Sequence, residues 1–280
     1  VYIAVDIGSS KFTVSLFKNL LNPAKIMSSR DAVTGTYQED IINIFNQIDS
    51  LQCSNIEAIG IAIPRIIDTG KNYAEVFSMQ PDWEKEPIRS DFEHRYSCKV
   101  FIENDCTVSA LAESQYVYHN KKSFIFIEWG EGLGASSVSI IGNKVHLEPI
   151  ELSHQICDPK GDICPCGQRG CLNLYCTSMG QRDKSGKTLE ELSENSWKKV
   201  IEKITIGMAN LLSYRRTELI VFGGDIPDTR IEKIKQINQK LHEIFKLYKI
   251  SKFKISKMGK DIELFGCIAL IHNSLNRNLV

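Results

Sequence analysis

Apolar and polar residues alternate in "YIAVDIG" and again in "KFTVSLF", on either side of a Gly-Ser-Ser turn, and this period of two predicts an antiparallel hairpin at the start of the chain. The period then changes. "QEDIINIFNQI" places Ile41, Ile42, Phe45 and Ile48 on one face of a helix, and "AIGIAIP" reads as a buried strand closed by Pro64. "CKVFIEN" is a further strand, and "CTVSALAESQYVY" is the helix after it. At "SFIFIEWGEGLGASSVSIIGNKVHL" the order restarts, with two strands around a glycine-rich turn and a third beyond Gly142-Asn143. Val200, Ile201, Ile204, Met208, Leu211 and Leu212 then share one face of a long helix, and "LIVFGGDIP" is a strand and turn. Ile231, Ile234, Leu241, Ile244 and Phe245 mark the next helix, "FKISK" a strand, and "ELFGCIALIHNSL" the last helix. "GQRDKSGKTLEELSENS" is polar enough for a surface loop or a short helix. Two rounds of hairpin, strand and helix predict a duplicated α/β fold with a ligand in the cleft between its halves.

Composition narrows the function classes. A chain of 280 residues, 42% of them hydrophobic, can bury the core of one large or two modest domains. Its 34 basic and 34 acidic side chains cancel, which removes the whole-surface electrostatic footprint of a nucleic-acid or anionic-membrane binder. The apolar runs are strand-sized and the N-terminus lacks the regions of a signal peptide, so a cytoplasmic location without membrane association is expected. The chain opens on Val1 and enters a strand at once, which leaves room for a segment upstream.

The odd count of nine cysteines favours reduced thiols plus a metal over a disulfide framework. Five of them crowd into "SHQICDPKGDICPCGQRGCLNLYC". Cys164, Cys166 and Cys171 follow a Cys-x-Cys-x-x-x-x-Cys spacing that encloses Gly167 and Gly170, the residues a tight turn needs if sulfurs are to converge at about 2.3 Å on one ion. His154 offers a nitrogen to close the tetrahedron, and a shell of four protein ligands leaves no open position, so a structural zinc is expected. Cys157 and Cys176 are spare.

"ELSH" followed by "CPCGQRGCLN" resembles the Glu-x-Gly-His and Cys-x-Cys-Gly-x-x-Gly-Cys-x-Glu pair of the ROK family of bacterial sugar kinases and sugar-responsive repressors. "AVDIGSSK" is similar to the family's first phosphate motif, "IENDCTVSALAE" to its sugar and catalytic segment, "WGEGLGAS" to its second phosphate loop and "VFGGD" to its adenosine turn, in the family's order. The resemblance implies an actin-like, ribonuclease-H-like ATPase fold of two domains around a cleft with a zinc-pinned loop. It places a smaller α/β domain at 1–107 plus about 264–280, and a larger one, with the zinc loop and the dimerisation surface, at 108–263. It also implies roles for particular residues. Asn104, Asp105, Glu151 and His154 bind a sugar, and Asp105 takes the hydroxyl proton if kinase activity survives. Asp6, Gly8, Gly130, Gly132, Gly223 and Gly224 line a vestigial nucleotide site. His154, Cys164, Cys166 and Cys171 hold the zinc. Read without the family, Asn104-Asp105 is equally a helix cap, worth about 1 kcal/mol.

The departures from the pattern fall on ligand contacts. Ser153 replaces a glycine, and Asn173 replaces a carboxylate after the last cysteine. Arg65 stands at the approach to the sugar, and Met79 stands where the family has an asparagine. Ser9, Ala135 and Ser136 replace glycines of the phosphate turns. Glu131 enters the second turn, where a bare carboxylate within about 4 to 6 Å of a triphosphate costs on the order of 1 to 4 kcal/mol, unless the side chain points to solvent.

"GEGLGAS" and "DPKGDICPCGQRGCL" resemble the xylose-repressor-like branch most. The expected function is therefore the effector and dimerisation part of a transcriptional regulator with a decayed kinase site, acting through another regulatory protein or through residual sugar sensing. Protein contact is slightly favoured, because a hydroxyl-reading site loses selectivity when polar partners go. DNA is reached only through an upstream helix-turn-helix segment not present in this chain. The alternative is an ATP-dependent hexose kinase using ATP and magnesium. The resemblance also implies a homodimer.

Overall fold

The computed structural model describes residues 1–8, 11–19, 27–33, 35–64, 66–67, 74–75, 81–83, 86–142, 144–246 and 251–275. Ser9, Arg65 and Met79, three of the departures noted above, lie outside the described residues.

The chain divides into two compact units, Val1–Val117 with Asp261–Val280, and Tyr118–Lys260. The first runs through β1 (Tyr2–Ile7), β2 (Lys11–Phe17), β3 (Met27–Ala32), α1 (Tyr37–Ser50), β4 (Ala58–Ile63), the two-residue strands β5 (Ile66–Ile67) and β6 (Ala74–Glu75), α2 (Ile88–Tyr96), β7 (Lys99–Asn104) and α3 (Asp105–Ala112). The second contains β8 (Phe124–Trp129), β9 (Leu133–Ile141), β10 (Lys144–Ile150), α4 (Asn173–Cys176), α5 (Ser178–Ser185), α6 (Glu194–Tyr214), β11 (Leu219–Gly223), α7 (Asp225–Thr229), α8 (Ile231–Ile244) and β12 (Lys252–Ile255). The chain then returns to the first unit with α9 (Ile262–Ser274). Where the sequence places the join at 107, the first unit continues through Val117, because α3 packs against α9.

Each unit holds one five-stranded sheet, in the orders β3-β2-β1-β4-β7 and β10-β9-β8-β11-β12. In both, three antiparallel strands are extended by two parallel ones, so the repeat read from the hydrophobic pattern is a repeat of topology. The fold is that of the actin-like ATPases.

The reason lies in which faces are apolar. β4 is buried at every position, as a strand covered on both faces must be. On one side Ile3, Val5, Ile59 and Ile61 meet Ile41, Ile44 and Ile48 of α1 and Phe92 of α2. On the other, Ala4, Phe17 and Ala62 meet Val108 of α3 and Leu264, Cys267 and Ile271 of α9. In the second unit the α6 stripe Val200, Ile201, Ile204, Met208, Leu211 and Leu212 is buried as expected, with Ile125, Ile127 and Trp129 of β8 in the same core. Each such side chain contributes about 1.5 to 3 kcal/mol. Two helices are rotated from the expectation. On α1 Ile42 is 54% exposed while Ile44 is buried, and on α8 the inward stripe is Ile234, Ile237 and Leu241, with Ile231 and Ile244 at the surface. The helix read through "CTVSALAESQYVY" also changes character, from α3 to a π-helical turn at Glu113–Val117 that packs on α9. No helix of the described residues is long and apolar enough to cross a membrane.

Candidate ligand and metal sites

Strand β7 ends where its ladder with β4 ends, at Asn104, and α3 begins at the next residue. Asn104 is the helix cap, its Oδ1 accepting from the Thr107 N–H at 3.0 Å and from the Thr107 hydroxyl at 3.3 Å. The cap read from the sequence is therefore present. Asp105 starts the helix, and its Oδ1 accepts from the Cys106 N–H at 2.7 Å. Burial pushes the Asp105 carboxyl up to about 7 and the charge of Glu263 on α9 adds to it, against the Cys106 N–H and Asn104, which favour the anion. Burial also holds Cys267 well above the usual thiol range, with Asp6 and Glu263 both acting in the same direction. Glu263 of α9 thus acts on both Asp105 and Cys267, and Asp6 of β1 on Cys267. Gly8 closes the turn between β1 and β2, its N–H donating to Lys11 O at 2.9 Å.

The second glycine-rich turn joins β8 to β9. Trp129 pairs with Leu133 in the ladder, leaving Gly130, Glu131 and Gly132 to turn, with the Gly130 N–H donating to Gly132 O at 3.0 Å. The four nucleotide-motif glycines of the second unit are not equivalent. A Cβ on Gly223 would stand 2.6 Å from the Phe126 ring, and one on Gly224, at φ +92, would stand 2.7 Å from Trp129 O, so the fold itself requires both. A Cβ on Gly130 would make ordinary contact with Asp225 at 3.4 Å, and one on Gly132 would meet nothing within 4 Å.

Glu131 is neither bare nor free in solvent. Its carboxylate pairs with the Arg182 guanidinium of α5. Both side chains are nearly half exposed, so the pair itself is worth about 1 kcal/mol or less, yet it cancels the charge that an anion would otherwise meet at the turn. Ala135 and Ser136 are likewise not at the turn. They sit in the β8-β9-β10 ladder, Ala135 in the core and Ser136 donating to Glu148 O at 3.4 Å. These departures are packing changes. Asn173 is a buried amide at the start of α4.

The cysteine loop is built by short backbone bonds. The Cys164 N–H donates to Gln168 O at 2.7 Å, the Gly167 N–H to Cys164 O at 2.8 Å and the Gly170 N–H to Asp162 O at 2.8 Å. Gly170 has φ +71, and a Cβ there would stand 1.6 Å from Asp158 O, so only glycine allows this closure. One ligand atom each from His154, Cys164, Cys166 and Cys171 lies within 4.8 Å of the others. Cys166 Sγ and Cys171 Sγ are 3.7 Å apart, and His154 Nδ1 is 3.8 Å from Cys164 Sγ. Two sulfurs bound tetrahedrally at about 2.3 Å to one ion stand roughly 3.8 Å apart, so the spacing fits a metal. Burial raises the Cys164 and Cys171 thiols, the latter up to about 12, with the neighbouring thiols adding to it. Burial also acts upward on Cys166, but the Gln168 N–H and the other two thiols outweigh it and lower that group. Thiols this close favour at most partial ionisation until a cation supplies the compensating charge. Cys157 lies outside the cluster, and Cys176 is fully buried with its Sγ 3.8 Å from Val200 O.

The structure thus brings His154 together with the three cysteines, and Asn104 together with Asp105. Glu151 stands at the surface before the one-turn helix Leu152–His154. Sequence reasoning missed Arg182 and Glu263. The first lies 51 residues from Glu131 in a stretch read as a surface loop or a short helix, and the second lies on a helix with no periodic signal for a carboxyl contact.

A family model described as "ROK family" matches residues 2–274. A xylose repressor of Caldicellulosiruptor bescii is 25% identical over 253 residues, which covers 77% of this chain and 62% of the repressor. A glucokinase of Thermotoga maritima is 27% identical over 188 residues, 64% of this chain and 58% of that enzyme. This chain therefore spans about six tenths of the length of these relatives. Among solved structures, a ROK hexokinase from Thermus thermophilus superposes with a TM-score of 0.78 at 17% identity, covering 98% of this chain and 99% of that one.

Proposed function

The chain belongs to the ROK family, and from that premise we propose that it is the sugar-binding effector part of a sugar-responsive transcriptional regulator. The observation that carries this reading is Asp105. The fold keeps a carboxyl group there that burial pushes up to about 7, an arrangement that opposes stability at neutral pH and goes beyond its bond to the Cys106 N–H in a helix already capped by Asn104. Asn104 and Asp105 are the hydroxyl-reading pair of the first unit.

The regulator rather than the enzyme is favoured by Asn173, an uncharged amide where the family resemblance has a glutamate. Glu131, neutralised by Arg182, does not weigh against nucleotide as the sequence implies. That cancellation bears on the ATP-using alternative, while the buried Asp105 carboxyl is what favours sugar sensing over contact with a second regulatory protein. Zinc is the ion that three sulfurs and one imidazole suit. It is structural in this reading because His154, Cys164, Cys166 and Cys171 close the shell. The reading goes with a homodimer in the cytoplasm, and with DNA contacted through residues outside this chain.

The test is a panel of glucose, mannose, N-acetylmannosamine, fructose and xylose, read by thermal stabilisation and by ADP release. A sugar at one hundred times its dissociation constant stabilises the native state by about 2.7 kcal/mol. Stabilisation without turnover supports the sensor, and no stabilisation by any sugar favours the protein-contact variant. A second reading, an ATP-dependent hexose kinase with ATP and magnesium, has two observations in its favour: an acid held near 7 is suited to general-base work at neutral pH, and Gly132 leaves open space in the phosphate turn. Sugar-dependent ADP release decides for it.

A further inference from the structure

Between the cysteine loop and the glycine-rich turn runs a continuous set of short contacts that neither reading of function uses. Cys171, a metal-type ligand, is followed directly by Leu172, whose N–H donates to Gln155 O at 2.9 Å and ties the loop to the residue beside His154. α4 starts at once and carries Cys176, whose carbonyl accepts from Trp129 Nε1 at 2.6 Å in a buried bond. Thr177 joins α4 to α5, donating its hydroxyl to Asn173 O at 2.7 Å and accepting from the Gly180 N–H at 3.0 Å. The first two N–H groups of α5 then reach the turn, Ser178 to Gly130 O at 3.0 Å and Met179 to Glu131 O at 3.2 Å. Arg182, one helical turn further on, holds the Glu131 side chain.

Gly130 and Glu131 of the turn are therefore held from α5, and Trp129 beside them from the end of α4; α4 begins two residues after a metal-type ligand, and α5 follows it through Thr177. The bonds are oriented and partly buried, so they transmit position rather than charge. Moving Cys171 by an ångström moves the start of α4, and the donors of α5 cannot stay in line with both carbonyls. We propose that α4 and α5 form a strut through which occupancy of the His154, Cys164, Cys166 and Cys171 site sets the shape of the Gly130–Gly132 turn, with Trp129, Thr177 and Arg182 as its positioning residues.

The experiment is hydrogen exchange on the full chain, read by mass spectrometry over 128–134, 154–172, 177–182 and 219–223, with Zn²⁺ bound, after a chelator, and after Zn²⁺ is returned. Removing the metal is expected to raise exchange in 154–172, 177–182 and 128–134 together, by about tenfold or more, with β11 at 219–223 unchanged and full recovery on adding Zn²⁺. Exchange that rises in 154–172 alone overturns the proposal, as does a loss of protection across all four segments, which makes the effect general unfolding. Thr177→Val keeps the side-chain shape and removes both hydroxyl bonds at the joint. It is expected to shrink the metal-dependent ratio at 128–134 towards one while leaving that at 154–172 unchanged, and an undiminished ratio at both overturns the role given to Thr177.

Discussion

Asp105→Asn separates a ligand-reading carboxyl from a mere cap. The wild-type carboxyl is pushed from an ordinary 3.8 up to about 7 by burial and then by Glu263, so the folded chain holds its proton more tightly than the unfolded one. Stability is therefore lost as pH rises from near 3.8 to about 7, and the loss is complete and constant above that. From the two values the burden on the native state is about 1 kcal/mol at pH 4.5 and about 4 kcal/mol at pH 8. The asparagine is nearly isosteric, cannot ionise, and keeps an Oδ1 to accept from the Cys106 N–H, so it escapes the burden. Urea unfolding at both pH values reads the difference. The variant should exceed the parent by about 4 kcal/mol at pH 8 and by about 1 kcal/mol at pH 4.5, and should lose sugar binding. Glu263→Gln should act in the same direction and by less, since its charge is the smaller cause. A variant no more stable than the parent at pH 8 would falsify the reasoning, because Asp105 would then belong to the fold and not to a ligand.

Gly132→Ala should change stability by less than about 0.5 kcal/mol, because its Cβ meets open space, whereas Gly224→Ala, at φ +92 against Trp129 O, should lose more than about 2 kcal/mol; thermal melts compare the two. Metal analysis should find one zinc per chain, lost in Cys166→Ser, and chelation should lower the melting temperature of the parent but not of that variant. Arg182→Ala should change stability by no more than about 1 kcal/mol, since the pair is exposed, while leaving the Glu131 carboxylate bare; a larger loss in denaturant titration means the residue carries more than its ion pair.

What the sequence made legible is what local chemistry decides. The α6 stripe keeps one apolar face from Val200 to Leu212 in a 21-residue helix, and the first hairpin alternates over seven residues in β2, so neither has a competing arrangement. The convergence of His154, Cys164, Cys166 and Cys171 is legible because Gly170 and the cysteines sit in one short loop whose closure is a local matter. α1 was misread because Ile41, Ile42, Ile44 and Ile48 offer two possible stripes, and only packing on β1 and β4 selects the one with Ile44. β3, "MSSRDA", has no apolar alternation to betray it, and pairing with β2 along one edge makes it a strand. The π-helical turn after α3 follows from packing on α9, which lies far away in sequence. The same distance hid the pairing of Glu131 with Arg182 and the facing of Asp105 by Glu263, the two contacts that alter the electrostatics of the candidate site.

The central claim is that this chain binds a sugar and does not phosphorylate it. Calorimetric titration of the sugar panel, run beside an ADP-release assay with ATP and magnesium on the same protein, measures both halves at once. Saturable binding of at least one sugar, abolished by Asp105→Asn and unaccompanied by ADP, is the predicted result. ADP released in proportion to added sugar, or no heat from any sugar in a chain that holds its zinc, would contradict it.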